Sequence, residues 1–167
     1  MRDDDEVDLL VDAWADRIPG VDFTPLDVMS RLRRVALRLN EVRAEAFRSA
    51  ELSSWEFDVL AALRRAEPPH EMSPMELSRA TMIGTAAMTN RLENLAERGL
   101  IMRKANPKDG RSNLARLTPE GVSRADTAML ALVRLEAEQL SRLTSQQCDQ
   151  LAGLLRQLGS SSAGAEK

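Results

Sequence analysis

A mainly α-helical chain with one small β-hairpin is predicted by three observations. Apolar residues recur at spacings of three and four along most of the sequence. Start signals divide that pattern into separate helices: Ser53, Ser73 and Thr144 are each answered three residues later by Glu56, Glu76 and Gln147. Between residues 100 and 117 the helical period gives way to two short stretches separated by the turn dipeptides Asn106-Pro107 and Asp109-Gly110. With the helix, turn and helix before it, this hairpin makes a winged helix-turn-helix, flanked by long N- and C-terminal dimerisation helices.

Taken in order, residues 1–20 form an acidic amphipathic segment, with a helix over Glu6 to Ile18 that gathers Val7, Val11, Trp14 and Ile18 on one face. Residues 24–52 begin with Thr24 as a cap and Pro25 in the first turn of a helix reaching about Ala50. Its Val28, Leu32, Val35, Leu39, Val42 and Ala46 alternate spacings of four and three, a heptad-like seam that calls for packing against another long helix. Residues 53–118 form the winged helix-turn-helix region. Ser53 and Glu56 open a helix through Trp55, Val59, Leu60 and Leu63 to Ala66, and Pro68-Pro69 ends it. Ser73 then caps a short helix with Pro74 at its first position and Glu76 completing the box.

Thr81 to Gly84 break that helix, and Gly84 is expected to supply the positive φ of the turn. The next helix starts near Thr85 and buries Met88, Leu92 and Leu95, leaving Thr85, Ala86, Thr89, Asn90 and Glu93 on or beside the free face. Gly99 closes it, Leu100 to Lys104 is a strand, and Leu114 to Leu117 is the returning strand. Residues 119–158 complete the dimerisation region. Thr118 caps and Pro119 starts a helix to about Leu143, and Thr144 caps a last one to Leu158, on which Cys148 shares the apolar face of Leu151, Leu155 and Leu158 and is expected in the core. Residues 159–167, rich in Ser, Ala and Gly, are expected to be a disordered tail.

Charge points to the same segment. The 167 residues carry a net charge of -3, yet residues 72–116 hold eight basic and four acidic side chains, a local +4 against -7 elsewhere. Positive potential therefore lies where phosphates would sit. Double-stranded DNA is the expected partner, with Ser73, Thr85, Ala86, Thr89, Asn90, Arg91, Arg103, Lys104, Lys108 and Arg111 as candidate contacts. Short polar side chains on a recognition helix reach base edges only when its backbone packs close to the major groove. Lys104 and Lys108 suit phosphates, and Arg111 suits a minor groove. The apolar seams at both ends imply a homodimer presenting two recognition helices to a pseudo-palindromic operator. The alternative is a winged-helix protein-protein interaction module without ligand response, which calls for an apolar recognition face; Thr85, Thr89 and Asn90 argue against one.

Other classes find little support. With no tyrosine, one histidine and one cysteine, the chain offers no nucleophile and base at a recognisable spacing, no metal constellation and no cofactor loop. One cysteine forms no internal disulfide, and His70 sits in a loop. No apolar run approaches the roughly 20 residues that span a bilayer, and the acidic start Met1 to Glu6 lacks a basic leader region, so no membrane partner and a cytoplasmic location are expected.

Over Val28 to Leu158 the arrangement resembles the MarR-type winged helix-turn-helix regulators. Asn106-Pro107-Lys108-Asp109-Gly110-Arg111 looks like that family's wing signature, and Leu117-Thr118-Pro119-Glu120-Gly121 like the segment after it. Gly110 stands where the family commonly has a first arginine, which removes one phosphate contact. Met88-Thr89-Asn90-Arg91-Leu92, Glu56-Phe57-Asp58-Val59-Leu60 and the extra helix bearing Trp14 are similar to the PecS-like, urate-responsive branch. The resemblance implies a dimeric repressor released by a small aromatic or anionic ligand such as urate, with Trp14, Asp58 and Arg91 as ligand contacts. Each has another reading: Trp14 as a helix anchor, Asp58 facing solvent or paired with Arg64 or Arg65, and Arg91 on a phosphate.

Overall fold

The structure, a computed structural model, describes residues 5–106 and 113–160. Its chain divides into two units between residues 45 and 46. In the first, helix α1 (Glu6–Arg17) starts on a capping box: the Asp5 carboxylate accepts the Val7 and Asp8 N–H groups, and Asp8 takes the Asp5 N–H. Helix α2 (Thr24–Arg48) takes its cap from two residues before Thr24, because the Asp22 carboxylate accepts the Thr24 N–H at 2.9 Å. An aspartate two residues back satisfies an orphan N–H that threonine inside the helix does not reach. Arg31 joins α1 to α2 through Asp8 at 2.9 Å and Asp5 at 3.3 Å, and also pairs with Asp27, while Arg34 pairs with Glu6. Val7 is buried, whereas Trp14, Ile18, Val28 and Val35 remain exposed.

The second unit holds the core. Its elements are α3 (Ser54–Arg65), β1 (Glu71–Met72), α4 (Pro74–Thr81), α5 (Thr85–Glu97), β2 (Ile101–Ala105), β3 (Asn113–Leu117), α6 (Pro119–Leu140) and α7 (Ser145–Ser160). Phe47 stacks on Phe57 with ring centroids 4.1 Å apart, and Val59, Leu60, Leu63, Leu77, Met88, Leu92, Leu95 and Leu100 fill the space between α3, α4, α5 and the sheet. The expected hairpin is one part of a three-stranded antiparallel sheet in the order β1-β3-β2. β2 pairs with β3 from Ile101–Leu117 to Ala105–Asn113, and β1 adds Glu71–Arg116 and Met72–Ala115 on the far edge. Two residues carry no periodicity, so β1 has no signature in the sequence.

Gly121 sets the approach of α6 to this sheet. A Cβ there would lie 2.0 Å from the Leu100 carbonyl oxygen, so no larger residue fits without moving backbone. Thr118 caps the helix, its hydroxyl accepting the Gly121 N–H at 3.0 Å and donating to the Gly99 carbonyl at 2.8 Å. The helix stops at Leu140 rather than Leu143. Helix α7 buries no residue among those described and runs through Gly159 to Ser160, beyond the expected end at Leu158. Cys148 is accordingly half-buried and not in the core, because the face it shares has nothing packed deeply against it.

Candidate nucleic-acid interface

The turn between α4 and α5 aims the recognition helix. Ser73 and Glu76 cap each other: the Ser73 N–H and hydroxyl both donate to the Glu76 carboxylate, at 2.7 and 2.8 Å, and the Glu76 N–H returns to the Ser73 hydroxyl. The proton of Ser73, a candidate DNA contact, is thus held within the cap. At the other end of α4 the positive φ expected of Gly84 belongs to Met82, at 55°, and Gly84 is the extended N-cap of α5 at φ -59°. The Met82 and Ile83 N–H groups both bond to the Ser78 carbonyl, which closes α4 two residues earlier than a Gly84 turn would.

Helix α5 is anchored on one side only. Met88, Leu92 and Leu95 are 0, 1 and 0% exposed, while Thr85, Ala86, Thr89 and Asn90 all face solvent. Four small or polar side chains therefore form a strip on a helix whose back is locked into the core. A Schellman closure ends it, with Gly99 at φ 69° and the Gly99 and Leu100 N–H groups bonded to Ala96 and Leu95. Arg98, beside that glycine, pairs with the buried carboxylate of Glu56 on α3 and donates to the Glu51 carbonyl at 2.7 Å. Burial pushes the Glu56 carboxyl up, but the Ser53 N–H and hydroxyl together with Arg98 outweigh it and hold the group below the ordinary glutamate range. The base of the recognition helix is in this way clamped to the start of α3, a contact between residues 42 apart that no local motif announces.

Arg91 leaves the strip for a different surface. Half-buried, its guanidinium lies 5.1 Å from the centroid of the Trp55 ring on α3, a cation–π contact. Nothing in the spacing of Trp55 along α3 marks it as a partner for Arg91. Arg103 on β2 reaches Glu93 of α5 at 3.6 Å, and Lys104 reaches Glu71 of β1 at 3.8 Å, so each wing-base cation has an acidic neighbour. Lys108 and Arg111 lie outside the described residues. Asp58 is half-buried on α3. Arg64, one of its two candidate partners, is instead bidentate on Asp126 of α6 at 2.9 and 3.2 Å. Its Nη1 lies 3.4 Å from His70 Nε2, and His70 Nδ1 lies 2.8 Å from the Ala66 carbonyl oxygen. Trp14 belongs to the N-terminal unit, exposed on α1. No helix among the described residues is long and apolar enough to cross a membrane.

Comparison with known proteins agrees with this geometry. A sequence model of the MarR family matches residues 51–112, a range that includes α3, α4, α5 and β2. The HTH-type transcriptional regulator PecS of Dickeya dadantii is 33% identical over 150 residues, covering 90% of each chain. Many solved structures share the fold. A mutant MarR from E. coli complexed with operator DNA matches with a TM-score of 0.69 at 24% identity, over 83% of this chain and 99% of its own. BpsR of Bordetella bronchiseptica, whose DNA binding is regulated by 6-hydroxynicotinic acid, matches with a TM-score of 0.69 at 24% identity, over 84% of this chain and 98% of its own. With a winged helix-turn-helix of this geometry and a relative aligned along nearly its whole length, the chain belongs to the MarR family of HTH-type transcriptional regulators.

Proposed function

We propose that the protein is a homodimeric repressor that reads a pseudo-palindromic operator and releases it on binding a small aromatic anion. The observation that carries this reading is the exposed strip Thr85, Ala86, Thr89 and Asn90 on a helix whose opposite face is fully buried. Thr89 and Asn90 present hydroxyl and amide groups to base edges, Ala86 allows close backbone approach, and Arg103, Lys104, Lys108 and Arg111 contribute phosphate or minor-groove contacts. Dimerisation is supported by the unpartnered apolar faces of α6 and α7: Leu130, Val133, Leu154 and Leu158 are all exposed. The operator complex of E. coli MarR and the ligand control of BpsR support the two halves of the reading by analogy.

Arg91 and Asp58, both in the second unit, are the proposed polar contacts of the effector. Urate is the first compound to test. If Arg91 exchanges Trp55 for the effector's negative charge, the recognition helix itself changes partners, which links occupancy to DNA affinity. The deciding measurement is fluorescence anisotropy with a duplex selected by the protein from a random-sequence pool, at several salt concentrations. Log affinity is expected to fall with log salt by about 0.9 per neutralised phosphate, and a flat dependence overturns DNA binding. Asn90→Ala is expected to relax base preference while leaving the salt slope in place. Release of that duplex by urate, 6-hydroxynicotinate or salicylate tests the effector separately, and equal release from Arg91→Ala and Asp58→Asn removes those residues from the site.

A further inference from the structure

The turn before α5 carries a side chain that neither the core nor the recognition strip uses. Met82 is 95% exposed, far more than Met75 at 58% or Met88 at 0%. Its backbone, by contrast, is held in the left-handed region at φ 55° and ψ 28°, with its own N–H and that of Ile83 bonded to Ser78. That conformation closes α4 and fixes the direction in which the side chain leaves the backbone. An unbranched apolar side chain is thus presented from a fixed point three residues ahead of Thr85, at the end of the helix that enters the groove first.

We propose that Met82 is an apolar operator contact, laying its thioether against a deoxyribose or a thymine methyl group, and that its oxidation weakens operator binding. The inference rests on the DNA-binding reading above. Hypochlorous acid is the oxidant: the S–O bond forms as the O–Cl bond breaks, sulfur gives up two electrons, chlorine leaves as chloride and the hydroxyl proton passes to water. The sulfoxide replaces a soft apolar surface with a strongly polar, more hydrated group unsuited to an apolar contact. Exposure directs the reaction to Met82 before Met75, while Met88 beneath the recognition helix is protected.

The test treats the full chain with limiting hypochlorous acid, maps sulfoxides by peptide mass spectrometry, and measures affinity for the selected duplex. Met82 is expected to oxidise first, with at least a tenfold loss of affinity; Met82→Leu, which keeps an apolar contact, is expected to lose less than threefold on treatment, and Met75→Leu to lose as much as wild type. Unmodified Met88 reports that the fold survived. Oxidation of Met75 ahead of Met82, a wild-type loss below tenfold, or an equal loss in Met82→Leu overturns the proposal. If untreated protein selects no duplex, the DNA-binding reading falls and the contact with it, whereas duplex binding without oxidant sensitivity removes the Met82 inference alone.

Discussion

Helices α5 and α7 carry nearly the same apolar pattern and meet opposite fates. Met88, Leu92 and Leu95 of α5 disappear into the core, whereas Leu151, Leu154, Leu155 and Leu158 of α7 stay 40 to 63% exposed. Spacings of three and four thus identify a face that needs cover without saying what supplies it. For α5 the cover is chiefly α4 and β2, brought together within one unit. For α7 no described residue of the chain supplies it, and a second copy is the proposed cover.

This contrast sets the expected effects of substitution, the largest first. Leu92→Ala is expected to cost about 2–5 kcal/mol of unfolding free energy at any protein concentration, by urea titration. Leu155→Ala should leave stability unchanged at concentrations where the chain is monomeric and lower it only where it self-associates; an effect independent of concentration would mean that α7 is covered from within the chain. Arg98→Met leaves the Glu56 carboxylate buried with its Ser53 partners alone, and a loss of about 1–3 kcal/mol is expected. The same pair predicts a pH dependence. Because Glu56 titrates lower in the folded chain than in the unfolded one, its stabilisation is complete above its ordinary value of 4.5 and disappears as pH falls through the folded value. Below pH 4.5 the stability of Glu56→Gln should therefore decline less steeply than that of wild type. Ser73→Ala, which removes only a cap at the start of α4, is expected to cost about 1 kcal/mol.

Local chemistry was legible where one residue satisfies another a few positions away. The Ser53–Glu56 and Ser73–Glu76 boxes, the Thr118 cap and the glycine closure at Gly99 all appear where their motifs stand, since each answers an orphan backbone group within its own turn. The exposed strip of α5 followed from the same periodicity that buried its back. What the sequence does not announce depends on distance along the chain or on competition between neighbours. Strand β1 exists because β3 offers it an edge, Arg98 finds Glu56 on another helix, and Trp55 draws Arg91 away from the free face. At the turn, Gly84 looked the natural bearer of positive φ, but the hydrogen bonds to Ser78 close α4 at Met82 first.

The amino-acid sequence by itself determined the order of helices, their caps, the winged motif and the small polar side chains of the recognition helix, because these arise from backbone groups and periodicities within a few residues. Tertiary structure alone decided which apolar faces find cover, where Arg91 and Arg98 anchor the recognition helix, how closely α6 approaches Leu100 at Gly121, and that an exposed methionine stands at the turn. Those outcomes depend on what distant segments bring into contact, and burial and ion pairing act on that contact regardless of separation along the chain.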